Sequence, residues 1–431
     1  MKPPCMSRLK GFGVAKRRCA QRSLKLVALV SCMPIISLAS EVTFDSLEDP
    51  HGFDVSQGRG LWGIEVTGSL NIGAESTTNI YQDASEIDGG ARDADLSGGL
   101  MRKWDTGMMA LSLDYADYKA FKGEYSAQDF DTLSLLFLGS VKPSENLTLK
   151  WTVADSELLL GTSPADQLNG IGRGKELDEM VELDGELALG AWSVGLKGRY
   201  FDSVSQQSQD TDDGIVRDTL DRVERSAIAY LGYKINSATT LYSYVGKQTI
   251  RYTETAASTA QLHDSDEHRF GGVINYAADA LQLTGDLYFF SRDFKSPAIG
   301  DFSGEWQANL KGNYALSDSI ALVVGASREF NESNISGVGG LMISNVFAGG
   351  TWLPRNSTLL KVGLQYESVN PAGRKLEVLK TSFNVDIRES LGPHVSVGLS
   401  LQAYAQKPEK TDLAAFDFHG STAKIYCELD L

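Results

Sequence analysis

The chain has 431 residues, 42% hydrophobic and 9% aromatic, with 40 Lys+Arg against 56 Asp+Glu and a net charge of −16. An ordinary apolar fraction with only 11 Pro and 4 Cys excludes a collagen-like chain, a disulfide scaffold and a disordered acidic tail. The acidic balance argues against a nucleic-acid partner, because such a protein needs a basic face to displace counterions from phosphates.

Residues 1–39 carry Lys2, Arg8, Lys10, Lys16, Arg17, Arg18, Arg22 and Lys25 and no acid. An apolar run from Leu26 to Leu38 follows and ends in Ser37-Leu38-Ala39. A basic lead, an apolar stretch too short to span the hydrocarbon core, and small residues at a cleavage position read as a cleaved signal peptide. Cys5, Cys19 and Cys32 leave with it, so Cys427 has no partner for an internal disulfide. Residues 40–60 read as a short periplasmic segment.

From residue 61 onward strict alternation replaces helical periodicity. Trp62, Ile64, Val66, Gly68, Leu70 and Ile72 share one face, with Glu65, Thr67, Ser69 and Asn71 on the other. Phe302, Gly304, Trp306, Ala308, Leu310, Gly312 and Tyr314 alternate in the same way with Ser303, Glu305, Gln307, Asn309, Lys311 and Asn313. Strands are predicted at 61–74, 94–104, 107–117, 130–142, 145–155, 177–190, 191–201, 225–235, 239–251, 267–277, 280–292, 301–314, 319–328, 341–352, 357–367, 375–388, 394–405 and 421–431. The 94–104, 225–235 and 239–251 segments are ambiguous; in the last, tyrosines take one parity and aliphatics the other.

The connections alternate in length. Short ones include Asp105-Thr106, Pro143-Ser144, Asn236-Ser237-Ala238, Ala278-Asp279, Ser317-Asp318 and Pro354-Arg355-Asn356. Longer polar ones fall between them, at 75–93, 156–176, 202–224, 252–266, 329–340 and 406–420. Short turns at one end and long loops at the other are the rhythm of a transmembrane barrel. Trp104, Tyr233, Tyr276, Tyr314 and Trp352 all fall beside short turns, where a headgroup-level aromatic ring belongs.

The fold class expected is all-β: an antiparallel up-and-down transmembrane barrel of about 18 strands, with 16 as the fallback. In hydrocarbon every backbone N–H and C=O needs an internal partner, so a strand-only membrane protein must close its sheet. Apolar faces then point to lipid and polar faces to a lumen, which explains a mean hydropathy of −0.18. Lys150, Lys197, Arg199, Arg269, Arg292, Lys311, Lys361 and Lys380 share the polar parity and are candidate lumen residues, with Glu65, Asp95, Asp114, Asp286 and Glu305. Tyr288 and Tyr404, on the same parity, are candidates for stacking against sugar rings. Arg102 is an exception, on the outward parity near a strand end.

No catalytic motif stands out. His51, His263, His268, His394 and His419 lack metal spacing, and Asp210–Gly214 lacks the spacing and the bidentate Glu of a calcium loop. His263-Asp264 with His268 is the one arrangement reminiscent of an outer-membrane protease, and a surface cluster explains it equally well. No catalytic, cofactor or metal site is expected.

Gly73–Tyr81 (GAESTTNIY), Ser291–Phe294 (SRDF) and Ser327–Asn334 (SREFNESN), the last before a strand ending at Trp352–Arg355 (WLPR), carry a resemblance. From residue 61 to its end the chain resembles the β-barrel porin 2 family, outer-membrane barrels often associated with exopolysaccharide production. It departs from the family at Thr77-Thr78, where an acidic pair is usual. It also ends on Leu431 rather than an aromatic, although Tyr426, Leu429 and Leu431 are expected to continue the alternation. The resemblance implies an outer-membrane location, lipid as surroundings, exopolysaccharide as substrate and a periplasmic or outer-membrane export partner. A general or solute-specific diffusion porin and a structural or adhesive barrel are the alternatives.

Overall fold

The computed structural model describes residues 59–61, 64–78, 89–121, 130–160, 174–206, 221–252, 263–278, 280–296, 302–331, 340–371, 377–408 and 417–430. The expected signal peptide, Trp62, His51, Asp210–Gly214 and Leu431 lie outside them.

The strands are β1 (Arg59–Leu61), β2 (Ile64–Thr77), β3 (Gly89–Trp104), β4 (Gly107–Ala120), β5 (Phe130–Ser144), β6 (Leu147–Leu160), β7 (Gly174–Leu189), β8 (Trp192–Gln206), β9 (Arg222–Lys234) and β10 (Thr239–Tyr252). They continue as β11 (Ser265–Ala277), β12 (Leu281–Phe294), β13 (Phe302–Ser317), β14 (Ile320–Asn331), β15 (Leu341–Arg355), β16 (Thr358–Pro371), β17 (Val378–Gly392), β18 (Val395–Pro408) and β19 (Phe418–Asp430). Each of β2 to β19 pairs antiparallel with the next, and β19 pairs back onto β2 from Thr422↔Thr77 to Asp430↔Ser69. Eighteen strands thus close a ring with no free edge, the only sheet geometry that satisfies every ladder group in lipid.

β1 does not belong to that ring. Arg59–Leu61 pairs antiparallel with the first residues of β2, so residue 61 is not the start of the first barrel strand, contrary to the alternation. Arg59 pairs with Val66 and Leu61 with Ile64. β3 occupies the other edge of this stretch, so β1 lies on the edge that β19 leaves bare after Asp430↔Ser69. The reason is hydrogen-bond accounting: the strand stagger strands the first residues of β2, and β1 supplies their partners.

The outer face carries an apolar band between two aromatic levels. Trp104, Trp192, Tyr233, Tyr314 and Trp352 are exposed beside the short turns, with Tyr276 on the same parity, and the Trp192 and Tyr233 rings lie 4.5 Å apart. Eight residues further along their strands stand Tyr200 on β8 and Trp306 on β13. At ~3.4 Å per residue and a tilt of ~40°, that spacing covers roughly 20 Å of membrane depth. Leu196 and Leu310 sit midway, 63% and 44% exposed. Arg102 lies outward at the turn end of β3, opposite Ile64 and Met109.

Three sequence expectations need correction. Eleven of the strands extend three to five residues further into the loops than predicted: β3 starts at Gly89, and β8 runs to Gln206, whereas β17 starts only at Val378, three residues later than expected. Beyond the apolar band the outer face meets water, as Arg92, Glu179 and Arg225 show, so alternation fades while the ladder continues. Pro143 and Pro354 are not turn residues; each falls in a register shift at the end of a strand, where no ladder N–H is needed. Tyr426 does not share the parity of Leu429: it is buried on the inner face, while Leu429 is exposed.

Candidate functional site

The candidate site is the inner wall. Its direction follows from contacts that skip a strand, because only the concave side of a closed sheet brings strands i and i+2 together. Tyr230 on β9 donates to Asp184 Oδ1 on β7 at 2.7 Å, Tyr244 on β10 to Asp286 Oδ1 on β12 at 2.9 Å, and Tyr426 on β19 to Asp386 Oδ2 on β17 at 2.9 Å.

These three contacts repeat one design. Each tyrosine stands opposite a glycine of the strand it crosses: Tyr230 opposite Gly195, Tyr244 opposite Gly271, Tyr426 opposite Gly398. A Cβ on any of these glycines would collide with the ring above it. The acceptor aspartate lies two residues before the one paired with that glycine, Glu186, Tyr288 and Arg388 respectively. Tyr230 and Tyr244 are themselves a cross-strand pair reaching in opposite directions, so the six strands from β7 to β12 are tied together. At the seam, Lys424 of β19 crosses Gly73 of β2 to form an ion pair with Asp93 of β3. The last strand is therefore held on both sides, with Arg388–Glu428 at 2.8 Å adding to its β17 side.

The structure places all ten candidate lumen residues on the parity opposite the exposed apolar row. Lys150 lies 3.8 Å from Asp184, and Lys197 lies 2.8 Å from Glu182. Arg199 stacks 4.8 Å from the Phe201 ring, with Nε and Nη2 buried and without a hydrogen-bond partner. Arg269, Tyr288 and Arg292 come together around Glu267: Arg269 is 2.7 Å and Arg292 3.7 Å from its carboxylate, and Arg269 covers the Tyr288 ring at 5.5 Å. Arg292 is 2% exposed and also faces the Phe294 and Phe330 rings. Lys380 lies 5.8 Å from the Tyr404 ring, which is 5% exposed. Lys311 lies on β13 opposite Thr284, and Lys361 on β16 opposite Asp386.

The inner acids are more numerous than the sequence reading gathered. β2 to β4 present Glu65, Glu75, Asp93, Asp95 and Asp114 against Lys103, and β7 presents Glu176, Asp178, Glu182, Asp184 and Glu186. Strand parity alone points to them. The tyrosine crossings are different, since each joins residues 40 to 46 positions apart and depends on register. His263 and His268 are not brought together: His263 is fully buried against Tyr252, and His268 is exposed on the outward parity.

No family model matches the chain, and no curated protein sequence does. Among solved structures it is similar to Pseudomonas aeruginosa OpdL, at 13% identity over 86% of this chain and 100% of that one, with a TM-score of 0.44. Acinetobacter baumannii OccAB3 gives 11% identity over 85% and 99%, with a TM-score of 0.45. The siderophore receptor PirA from A. baumannii gives 7% over 85% and 80%, with a TM-score of 0.41. The closed ring, the apolar outer band and the charged inner wall define the class: a transmembrane β-barrel.

Proposed function

We propose that this chain is a passive diffusion channel for small solutes across the outer membrane, with a preference for cations. The observation that carries the reading is the inner wall itself. Most of it is polar or charged, with Ala321, Val323, Ile343 and Phe347 forming an apolar stretch on β14 and β15, and the side-chain contacts described above join strands no more than two apart. A ring of ~18 strands is wide enough to hold water in its centre. The bases Lys150, Lys197, Arg199 and Arg222 largely offset the acids of β7, whereas among the described residues those of β2 to β4 meet only Lys103 and Lys424. An uncompensated acidic wall with low-dielectric backing raises the local concentration of cations.

Exopolysaccharide export, implied by the resemblance to the β-barrel porin 2 family, has less support. The faces of Tyr288 and Tyr404, the two tyrosines expected to stack on sugar rings, are taken up by Arg269 and Lys380. The deciding experiment is reconstitution of the purified protein in planar bilayers under a potassium chloride gradient. Stepwise conductance is expected, with a reversal potential on the cation-selective side. Absence of conductance overturns the channel reading, and an anion-selective potential overturns the stated preference.

A further inference from the structure

We infer that the inner wall of β2 to β5, closed by Lys424 of β19, is a binding site for a small organic cation, an alkylammonium or guanidinium ion. The inference rests on the diffusion-channel reading and adds a solute class to it. A cavity of about 200 Å³ opens on this wall, lined by Glu75, Asp93, Asp95, Tyr118, Phe130 and Lys424. That is room for a cationic head group and a few carbons, and too little for a polymer.

Two features of the cavity point to a ligand. The first is unused acceptor capacity. Asp93 is only 8% exposed, and while one of its oxygens holds Lys424, its Oδ1 has no hydrogen-bond partner. That oxygen lies out of solvent reach beside Gly73, 2.6 Å from where a Cβ would stand, so Asp93 adds charge to the wall while the open acceptor is its neighbour. Asp95 beside it accepts no hydrogen bond from any described residue. Glu75 accepts the Tyr118 hydroxyl at 2.5 Å, which fixes the ring. The lone base, Lys424, is committed to Asp93, so the wall keeps an excess of negative charge.

The second feature is an aromatic side. Tyr118 and Phe130 are stacked, with centroids 5.0 Å apart and planes 11° apart. Carboxylates on one side and a π-face on the other match a cation with an alkyl or planar body, which gains from both. A metal ion fits less well: among the described residues no group of three or more His, Cys, Asp or Glu is placed to hold one.

The test uses the full barrel in planar bilayers with agmatine, which carries a guanidinium and an ammonium group. Agmatine is expected to interrupt the wild-type current in resolved blocks. Asp95→Asn should shorten block dwell times about tenfold, the loss of one charge-assisted hydrogen bond. Glu305→Gln, on β13 and outside this wall, should leave them unchanged. A channel that conducts but is not blocked, or whose blocks are the same in Asp95→Asn, overturns the cation site and leaves the channel reading standing. If no current flows, the channel reading falls and calorimetric titration of the detergent-solubilised protein with agmatine decides the site. Binding that Asp95→Asn abolishes supports it; absence of binding overturns it.

Discussion

Leu196→Arg is expected to destabilise the barrel by about 2–4 kcal/mol in lipid vesicles, the cost of a guanidinium on the lipid face at mid-depth. Leu196 lies four residues from Trp192 and four from Tyr200, the two aromatic levels of β8, and is 63% exposed. In a water-soluble barrel the same change would add a charge to an exposed site and cost within about 0.5 kcal/mol. Thr152→Arg is the matched control. It adds the same group to the inner parity of β6, opposite Glu182, and should stay within roughly 1 kcal/mol because its head meets water and a carboxylate. Reversible urea unfolding in vesicles measures both. Equal costs at the two sites would mean that the outward face is not in lipid.

Position 196 also shows why so much of this fold is legible in the sequence. Lipid demands an apolar side chain at every outward position within the band, so period-two contrast is strong through Leu196, Leu310 and their neighbours. The demand ends at the headgroups. Above them Arg92 and Lys119 form a direct cross-strand pair on the outward parity, and a strand whose two faces are both polar gives no alternation to read. The missing residues at the loop ends of β3, β7 and β8 are therefore a boundary of the solvent rather than of the sheet.

The inner wall is legible only in part, for a different reason. Parity assigns Lys197, Arg269 and Asp286 to it, since each is a property of one strand. Partners are a property of register, and register is set by ring closure. The tyrosines of β10, ambiguous beside their aliphatic neighbours, turn inward because Tyr244 has an aspartate to reach on β12. The usable signal was a glycine on the polar parity of a strand neighbouring a tyrosine-bearing one, as at Gly195, Gly271 and Gly398. β1 left no such trace. Its three residues pair with β2 because of where β19 stops, and no local pattern encodes the position of a strand more than 350 residues away.

The tyrosine crossings make the sharpest prediction about stability, since it includes a reversal of sign. Tyr230→Phe should cost about 1.5–3 kcal/mol, because it removes a hydrogen bond to the carboxylate of Asp184. Gly195→Val should cost more, about 3–5 kcal/mol: the new side chain displaces the ring, adding overpacking strain to the lost bond. Gly271→Val should be the costliest of the glycine changes, since its Cβ would also stand 2.6 Å from the Leu287 carbonyl oxygen, which cannot swing aside as a ring can. In a Tyr230→Ala background, however, the penalty of Gly195→Val should vanish and turn slightly stabilising. The ring it would strike is gone, and valine fits a strand interior better than glycine. A double-mutant cycle read by urea unfolding, with heat-modifiable gel mobility reporting closure, isolates this coupling. If Gly195→Val is as damaging without the tyrosine as with it, the glycine serves some other need of the backbone, and the picture of strands tied in threes across the lumen wall fails.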